Sequence, residues 1–175
     1  MNMMIPAWID GTLQPVEKLE AHKRGLKHKA ISVFVFHNDK ILLQRRALGK
    51  YHTPGLWANT CCTHPNWNET DTDCANRRVF EELHLTGLEL KNRGKIEYRA
   101  DVGQGLIEHE VVEIFTAICS TPPKVTPNPE EVMETKWLDQ IKLANKVETN
   151  PDEFTPWLRI YMSKHFEQIS GTITA

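Results

Sequence analysis

Residues 69–85, ETDTDCANRRVFEELHL, have the pattern on which the fold turns. Ala75, Val79 and Leu83 recur every four residues, a spacing that stacks apolar side chains along one face of an α-helix. Asp71 or Asp73 can cap its start by accepting from the free N–H groups of the first turn. Arg77 with Glu81, and Arg78 with Glu82, are also four apart and can bridge along the helix, the usual fate of such pairs. Arg78 and Glu82, however, adjoin the apolar stripe at Val79 and Leu83. If they face inward, a guanidinium beside a carboxylate can hold a phosphate and its Mg²⁺.

Working outward, residues 46–68 contain Gly49, Pro54, Gly55 and Pro65 and are expected to form a long, mostly irregular loop. Inside a compact domain such a loop is more often functional than not. Before it, residues 30–37 (AISVFVFH) are apolar on both alternating faces, as an inner strand should be. Residues 40–45 (KILLQR) follow the turn-like Asn38-Asp39 as its hairpin partner. Beyond the helix, 94–101, 107–119 and 132–138 read as strands, and 139–146 and 154–168 as helices. The expected fold is α/β (α+β), a mixed β-sheet sandwiched between helices. No repeat or linker interrupts residues 1–175, so a single domain is expected.

Bulk properties narrow the function classes. Hydrophobic residues make up 40% and charged residues 25%, as in a soluble globular protein. The formal net charge of -2 offers no general basic field for nucleic acid or membrane. No stretch approaches the roughly 20 apolar residues of a membrane span. The first residues lack the pattern of a signal peptide. Cys61, Cys62, Cys74 and Cys119 show no disulfide framework spacing, which suits free thiols in a reducing cytoplasm.

The candidate chemistry lies in three groups and a few single residues. His22 and His28 flank the basic segment AHKRGLKH, and His64 lies in CCTHP. Glu108 and Glu110 stand two apart on a predicted strand, so both point to one face, while His109 between them points to the other. Three imidazoles and two carboxylates suit a divalent ion such as Mn²⁺, Zn²⁺ or Mg²⁺. Any one of these histidines alone is better read as an ordinary surface residue. Lys18, Arg45, Arg46 and Lys50 are cations that can converge on a diphosphate, although scattered cations more often face solvent. Cys62 can be a reactive thiol, though buried structural cysteines are commoner. Tyr98 and Trp157 read by default as core aromatics with a polar handle.

Glu69, Arg77, Val79 and the Glu81-Glu82 pair stand at the spacing of a Nudix box, which residues 69–85 resemble. Three positions depart from it. The leading Gly is Thr63, the glutamate after the Arg is Arg78, and the Gly after the glutamate pair is His84. A hydrolase would lose a metal ligand and gain a cation at Arg78. The segments AHKRGLKH, LLQRRALGKYHTPGLWANTCCTHP, EYRAD, LIEHEVVEIF, EEVMETKW and EFTPWL are together similar to the type 1 isopentenyl-diphosphate isomerase family, which has this degenerate box.

The resemblance implies an enzyme of isoprenoid biosynthesis that moves a double bond by protonation and deprotonation. It implies a metal site of His22, His28, His64, Glu108 and Glu110. It makes Cys62 the catalytic thiol, two residues before the His of the C-x-H-P pattern, with Glu110 as the second proton-transfer residue and Tyr98 as its helper. Glu82 would reach an Mg²⁺ carried by the substrate. Lys18, Arg46, Lys50 and Arg78 would hold the phosphates, and Trp157 would line the hydrocarbon pocket. The implied partner is a small isoprenoid diphosphate, with no nucleic acid or membrane, for a monomer or weak homodimer. The rival readings are a Nudix pyrophosphohydrolase, which Arg78 opposes, and a non-catalytic metal-bound or nucleotide-binding module, which gives Cys62 no task.

Overall fold

The computed structural model describes residues 3–171. The chain opens with an antiparallel hairpin, β1 (Met4–Ile9) and β2 (Thr12–Glu17), turned at Asp10-Gly11. Helix α1 (Lys18–Arg24) follows at once. The Glu17 carboxylate accepts from the Glu20 N–H at its start, and Gly25 at φ 60° donates to the Ala21 and His22 carbonyls at its end. That left-handed closure favours glycine. At seven residues α1 is too short for periodicity to reveal, and the sequence pattern did not predict it or the hairpin before it.

The remaining elements, in order, are β3 (Lys27–His37), β4 (Lys40–Arg46), β5 (Trp57–Ala58), β6 (Cys61–Thr63), α2 (Asp71–Leu83), β7 (Lys91–Gly103), β8 (Leu106–Ile118), β9 (Val132–Asp139), α3 (Gln140–Thr149), α4 (Pro156–Ile160) and α5 (Phe166–Ser170). Strand β3 is the hub. One edge pairs in parallel with β8, from Lys27↔His109 to Phe36↔Ile118. The other edge is shared by β1 at His28, β6 at residues 31–33 and β4 at residues 36–37. β7 extends the sheet beyond β8, and β9 pairs with β4.

Alternation along β3 separates two cores. Ala30, Phe34 and Phe36 pack with Leu143, Leu158, Tyr161 and Ile169 of the C-terminal segment. Ile31, Val33 and Val35 pack on the opposite face with Ala75, Val79 and Leu83 of α2. The sheet therefore lies between helices, as expected.

Three local expectations change. The cap of α2 is Thr70, whose hydroxyl accepts from the Asp73 N–H, in place of Asp71 or Asp73. The 46–68 loop contains two short strands, because β3 and β4 offer it unpaired edges. The 154–168 helix is broken. Its turns widen at Tyr161–His165 between α4 and α5, and a 3₁₀ turn at Pro151–Glu153 precedes it. His84, the glycine position of the box, has φ 52°, which explains why that position suits glycine. Its ring nitrogen is bonded to the Thr126 carbonyl at 2.7 Å.

Candidate active site and metal centre

Register across β3 builds the site. His28 lies opposite Glu110 of β8, Ser32 lies opposite Cys62 of β6, and Tyr98 of β7 lies opposite Glu110. In-register neighbours project from the same face, and so do residues two or four apart on one strand. Cys62 and Glu110 therefore stand on the same face, on either side of β3. His109 points away and pairs with Glu97 at 3.0 Å, while Glu108 and Glu110 are buried.

The histidines are set for ligation. His22 Nδ1 is 2.7 Å from the Lys18 carbonyl, and His28 Nδ1 is 2.7 Å from the Leu26 carbonyl. A carbonyl oxygen only accepts, so each Nδ1 carries the hydrogen and each Nε2 presents a lone pair. Both Nε2 atoms are buried without a hydrogen-bond partner, as is His64 Nδ1. Buried orphans of this kind ask for an explanation, and a metal provides one. Donor atoms of His22, His28, His64 and Glu110 all lie within 4.8 Å of one another, and those of His22, His52 and Glu108 form a second such group. Imidazole and carboxylate donors fit a borderline-hard divalent ion without choosing among several.

Burial dominates the electrostatics. It holds His22 down at about 4, with His28 adding to the effect. It holds His52 down at about 2, aided by Arg46 and Lys18. For Glu110 burial acts upward, but the two imidazoles beside it, His64 in a hydrogen bond at 2.9 Å and His28 at 3.6 Å, outweigh it and keep the carboxyl well below its ordinary range. Burial and the neighbouring Glu110 push Glu108 well up. The Tyr98 hydroxyl lies 2.9 Å from Glu108 and 2.7 Å from Glu110. One hydroxyl hydrogen cannot serve both carboxylates. The consistent arrangement has a protonated Glu108 donating to Tyr98, and Tyr98 donating to Glu110.

At the thiol, the Ser32 hydroxyl donates to Cys62 Sγ at 3.2 Å. Burial, then Glu110 and Glu108, push the Cys62 thiol well up, so it is protonated at neutral pH in the metal-free protein. Cys61 points to the other face, into the α2 core.

The far end of the cleft is cationic. Lys50 and Arg78 both hold Glu131, Arg78 at 3.3 Å. Arg78 also bonds Glu81 at 2.8 Å and Glu82 at 2.7 Å. Gln44 donates to Glu82 at 2.8 Å. Lys18 is lowered to about 8 by burial and then by Lys50, Arg78 and Arg46. Arg46 lies over the Trp157 ring at 5.2 Å.

Every residue predicted for the site falls in this one region. Lys18, Arg46, Lys50, Cys62, His64, Arg78, Glu82, Glu108 and Trp157 line the cleft. His22, His28, Tyr98 and Glu110 adjoin them through His64 and Glu108. Sequence reasoning missed Ser32, Gln44, His52, Glu131 and Tyr161. Ser32 carried a signal, as the lone polar residue in the apolar run of residues 30–36. Nothing in the local pattern marked Tyr161.

The model of the NUDIX domain matches residues 26–158. An isopentenyl-diphosphate Delta-isomerase of Cereibacter sphaeroides is 62% identical over 99% of this chain and 98% of its own length. The Jannaschia enzyme of that name is 58% identical over 99% of each chain, and the Ruegeria pomeroyi one 56% identical over 98% of this chain and 95% of its own. Among solved structures, a Deinococcus radiodurans protein superposes with a TM-score of 0.73 over 91% of this chain and 96% of its own, at 11% identity. A MutT NUDIX hydrolase from Burkholderia pseudomallei superposes with a TM-score of 0.60 over 78% and 95%, at 18% identity. These structures share the fold, while the sequence relatives identify the branch: the chain belongs to the isopentenyl-diphosphate Delta-isomerase family of NUDIX-domain proteins.

Proposed function

We propose that the protein converts isopentenyl diphosphate to dimethylallyl diphosphate. The reaction adds a proton to the terminal methylene carbon and removes one from C2, so the double bond moves and no group leaves. One observation carries this reading. Cys62 and Glu110 project from the same sheet face, on either side of β3, in a region whose far end gathers Lys18, Arg46, Lys50 and Arg78.

In this reading the four cations hold the diphosphate, and Glu82 reaches the Mg²⁺ that it carries. The hydrocarbon tail then lies between Cys62 and Glu110, which supply and remove the two protons. Tyr98, bridging Glu108 and Glu110, couples the proton state of one carboxyl to that of the other. The π face of Trp157 stabilises the carbocation-like state by ~0.5–2 kcal/mol once water is excluded. His22, His28, His64, Glu108 and Glu110 hold a second divalent ion, Mn²⁺, Mg²⁺ or Zn²⁺, whose charge when bound sets the carboxylate protonation. The whole of residues 1–175 acts as one domain, because α1 supplies Lys18 and His22 from outside the matched 26–158 segment.

A pyrophosphohydrolase needs the box carboxylates available to catalytic metal. Here the Arg78 guanidinium holds Glu81 and Glu82. A non-catalytic module leaves Cys62 without a task. Product analysis with isopentenyl diphosphate and Mg²⁺ separates the three readings. Dimethylallyl diphosphate is expected. Released phosphate would favour the hydrolase, and no turnover the module. The protein is further read as a monomer or weak homodimer of the reducing cytoplasm, without nucleic-acid or membrane partners. The net charge of -2 supports the absence of nucleic-acid and membrane partners, and the four free cysteines support the reducing compartment. No helix of the described residues is long and apolar enough to cross a membrane.

A further inference from the structure

Behind Cys62 runs a buried hydrogen-bond chain that neither substrate grip nor metal ligation requires. Ser32 Oγ lies 3.2 Å from Cys62 Sγ and 2.9 Å from the Tyr161 hydroxyl. Ser32 and Tyr161 are both fully buried. The Tyr161 ring is fixed edge-on against Phe34 at 5.7 Å and Tyr98 at 5.9 Å. Tyr161 also begins the segment of widened helical turns. Packing alone would accept an apolar residue at both positions, since a buried hydroxyl is tolerated only with a partner.

The chain has one consistent direction. If the Cys62 S–H donated to Ser32, Ser32 would donate to Tyr161, and the Tyr161 O–H would need a further acceptor. Among the described residues its only hydrogen-bond partner is Ser32. Tyr161 therefore donates to Ser32, and Ser32 donates to the sulfur. We propose that Ser32 and Tyr161 are positioning residues for Cys62, holding its sulfur as an acceptor so that the thiol's own hydrogen is left to point into the cleft. The inference rests on Cys62 as a proton-transfer group. When Cys62 gives its proton, the S–H bond breaks, the hydrogen joins the substrate carbon and the electron pair stays on sulfur. The Ser32 hydroxyl then donates to a thiolate, a stronger bond than to a thiol, already polarised by Tyr161. Glu110 takes the proton lost from C2, and one proton passing from Glu110 back to the thiolate through solvent restores the thiol, so the cycle balances with no other reactant.

Four variants test the chain: Ser32→Ala, Tyr161→Phe, the double variant, and Ser32→Thr, which keeps the hydroxyl. Ser32→Ala should lower kcat about tenfold or more while the KM for isopentenyl diphosphate stays within about twofold. Tyr161→Phe should cost less. The double variant should be no slower than Ser32→Ala, because the two act as one unit, and Ser32→Thr should recover most of kcat. The infrared S–H stretch of Cys62, assigned by its loss in Cys62→Ala, should shift in both single variants. An unshifted band, or losses that multiply in the double variant, would overturn the chain. If wild-type protein made no dimethylallyl diphosphate, the isomerase reading would fall. The S–H band would then decide the chain by itself, a shift supporting it and no shift sinking it.

Discussion

At the imidazole end of the cleft, His22 Nε2, His28 Nε2 and His64 Nδ1 are buried without partners. At the cationic end, Arg78 and Lys50 are ion-paired with Glu82 and Glu131, and the unpartnered buried atoms are the donors Arg78 Nε and Arg46 Nε. The first end is held by rigid register across β3 and β8, and its three imidazole lone pairs are ones that a divalent cation would satisfy. In the second, Lys50 and Arg78 are paired with carboxylates, so in the proposed reading a diphosphate takes these two cations from Glu131 and Glu82. The contrast suits the chemistry proposed for each end. Proton transfer at carbon needs acid and base fixed in advance, while anion binding tolerates rearrangement of long charged side chains.

The largest expected effect separates the two ends outright. Cys62→Ala should lower isomerisation by about 10²–10⁴-fold while diphosphate binding, followed by calorimetry with the substrate, persists. Cys61→Ala, in the α2 core, should cost only roughly 1 kcal/mol of stability and leave turnover near normal. A dead Cys61→Ala and an active Cys62→Ala would reverse the assignment of the thiol.

Next comes the completeness of the imidazole end. His64→Ala should lose bound metal and activity together and loosen the N-terminal segment, because His22 and the sheet share the ion. His109→Ala, which removes only the exposed pair with Glu97, should keep both. Elemental analysis of the purified variants decides it, and full occupancy in His64→Ala would show that the ligand set is different.

At the other end, Arg78→Glu places a fourth carboxylate among Glu81, Glu82 and Glu131. It should raise KM by about 10- to 100-fold through lost charge-assisted bonds, with little phosphate released. Strong Mg²⁺-dependent phosphate release would mean that this one residue separates isomerase from hydrolase.

The last effect concerns stability and leaves turnover aside; it is in pH. In metal-free protein His22 titrates near 4, below its ordinary 6.5, because it is buried beside His28. The unfolded chain then binds more protons between these values. The stability contribution is therefore full above about pH 6.5 and is lost as pH falls toward 4, by up to about 3 kcal/mol from His22. Urea unfolding of chelator-treated protein at about pH 7 and pH 5 measures it. A flat profile would show that the imidazoles are more solvated than their burial implies.

The elements with strong periodicity and the residue types of the site were legible along the chain. Helix α2 was legible because Ala75, Val79 and Leu83 repeat at the helical spacing, and β3 because both its faces are apolar. The opposite facing of His109 and its flanking glutamates followed from strand alternation alone. The similarity of many short segments pointed to the branch of the family, and Arg78 marked the departure from a hydrolase box. Convergence came from the fold. Spacing along the chain cannot bring His22, His28 and Glu110 together, since this depends on α1 docking and on β3 pairing with β8 in one register out of many. The same holds for the Ser32–Tyr161 chain behind the thiol and for the role of Glu131 as internal partner of the cations. Each of these joins residues remote in sequence, and a contact between remote residues leaves no local periodicity to read.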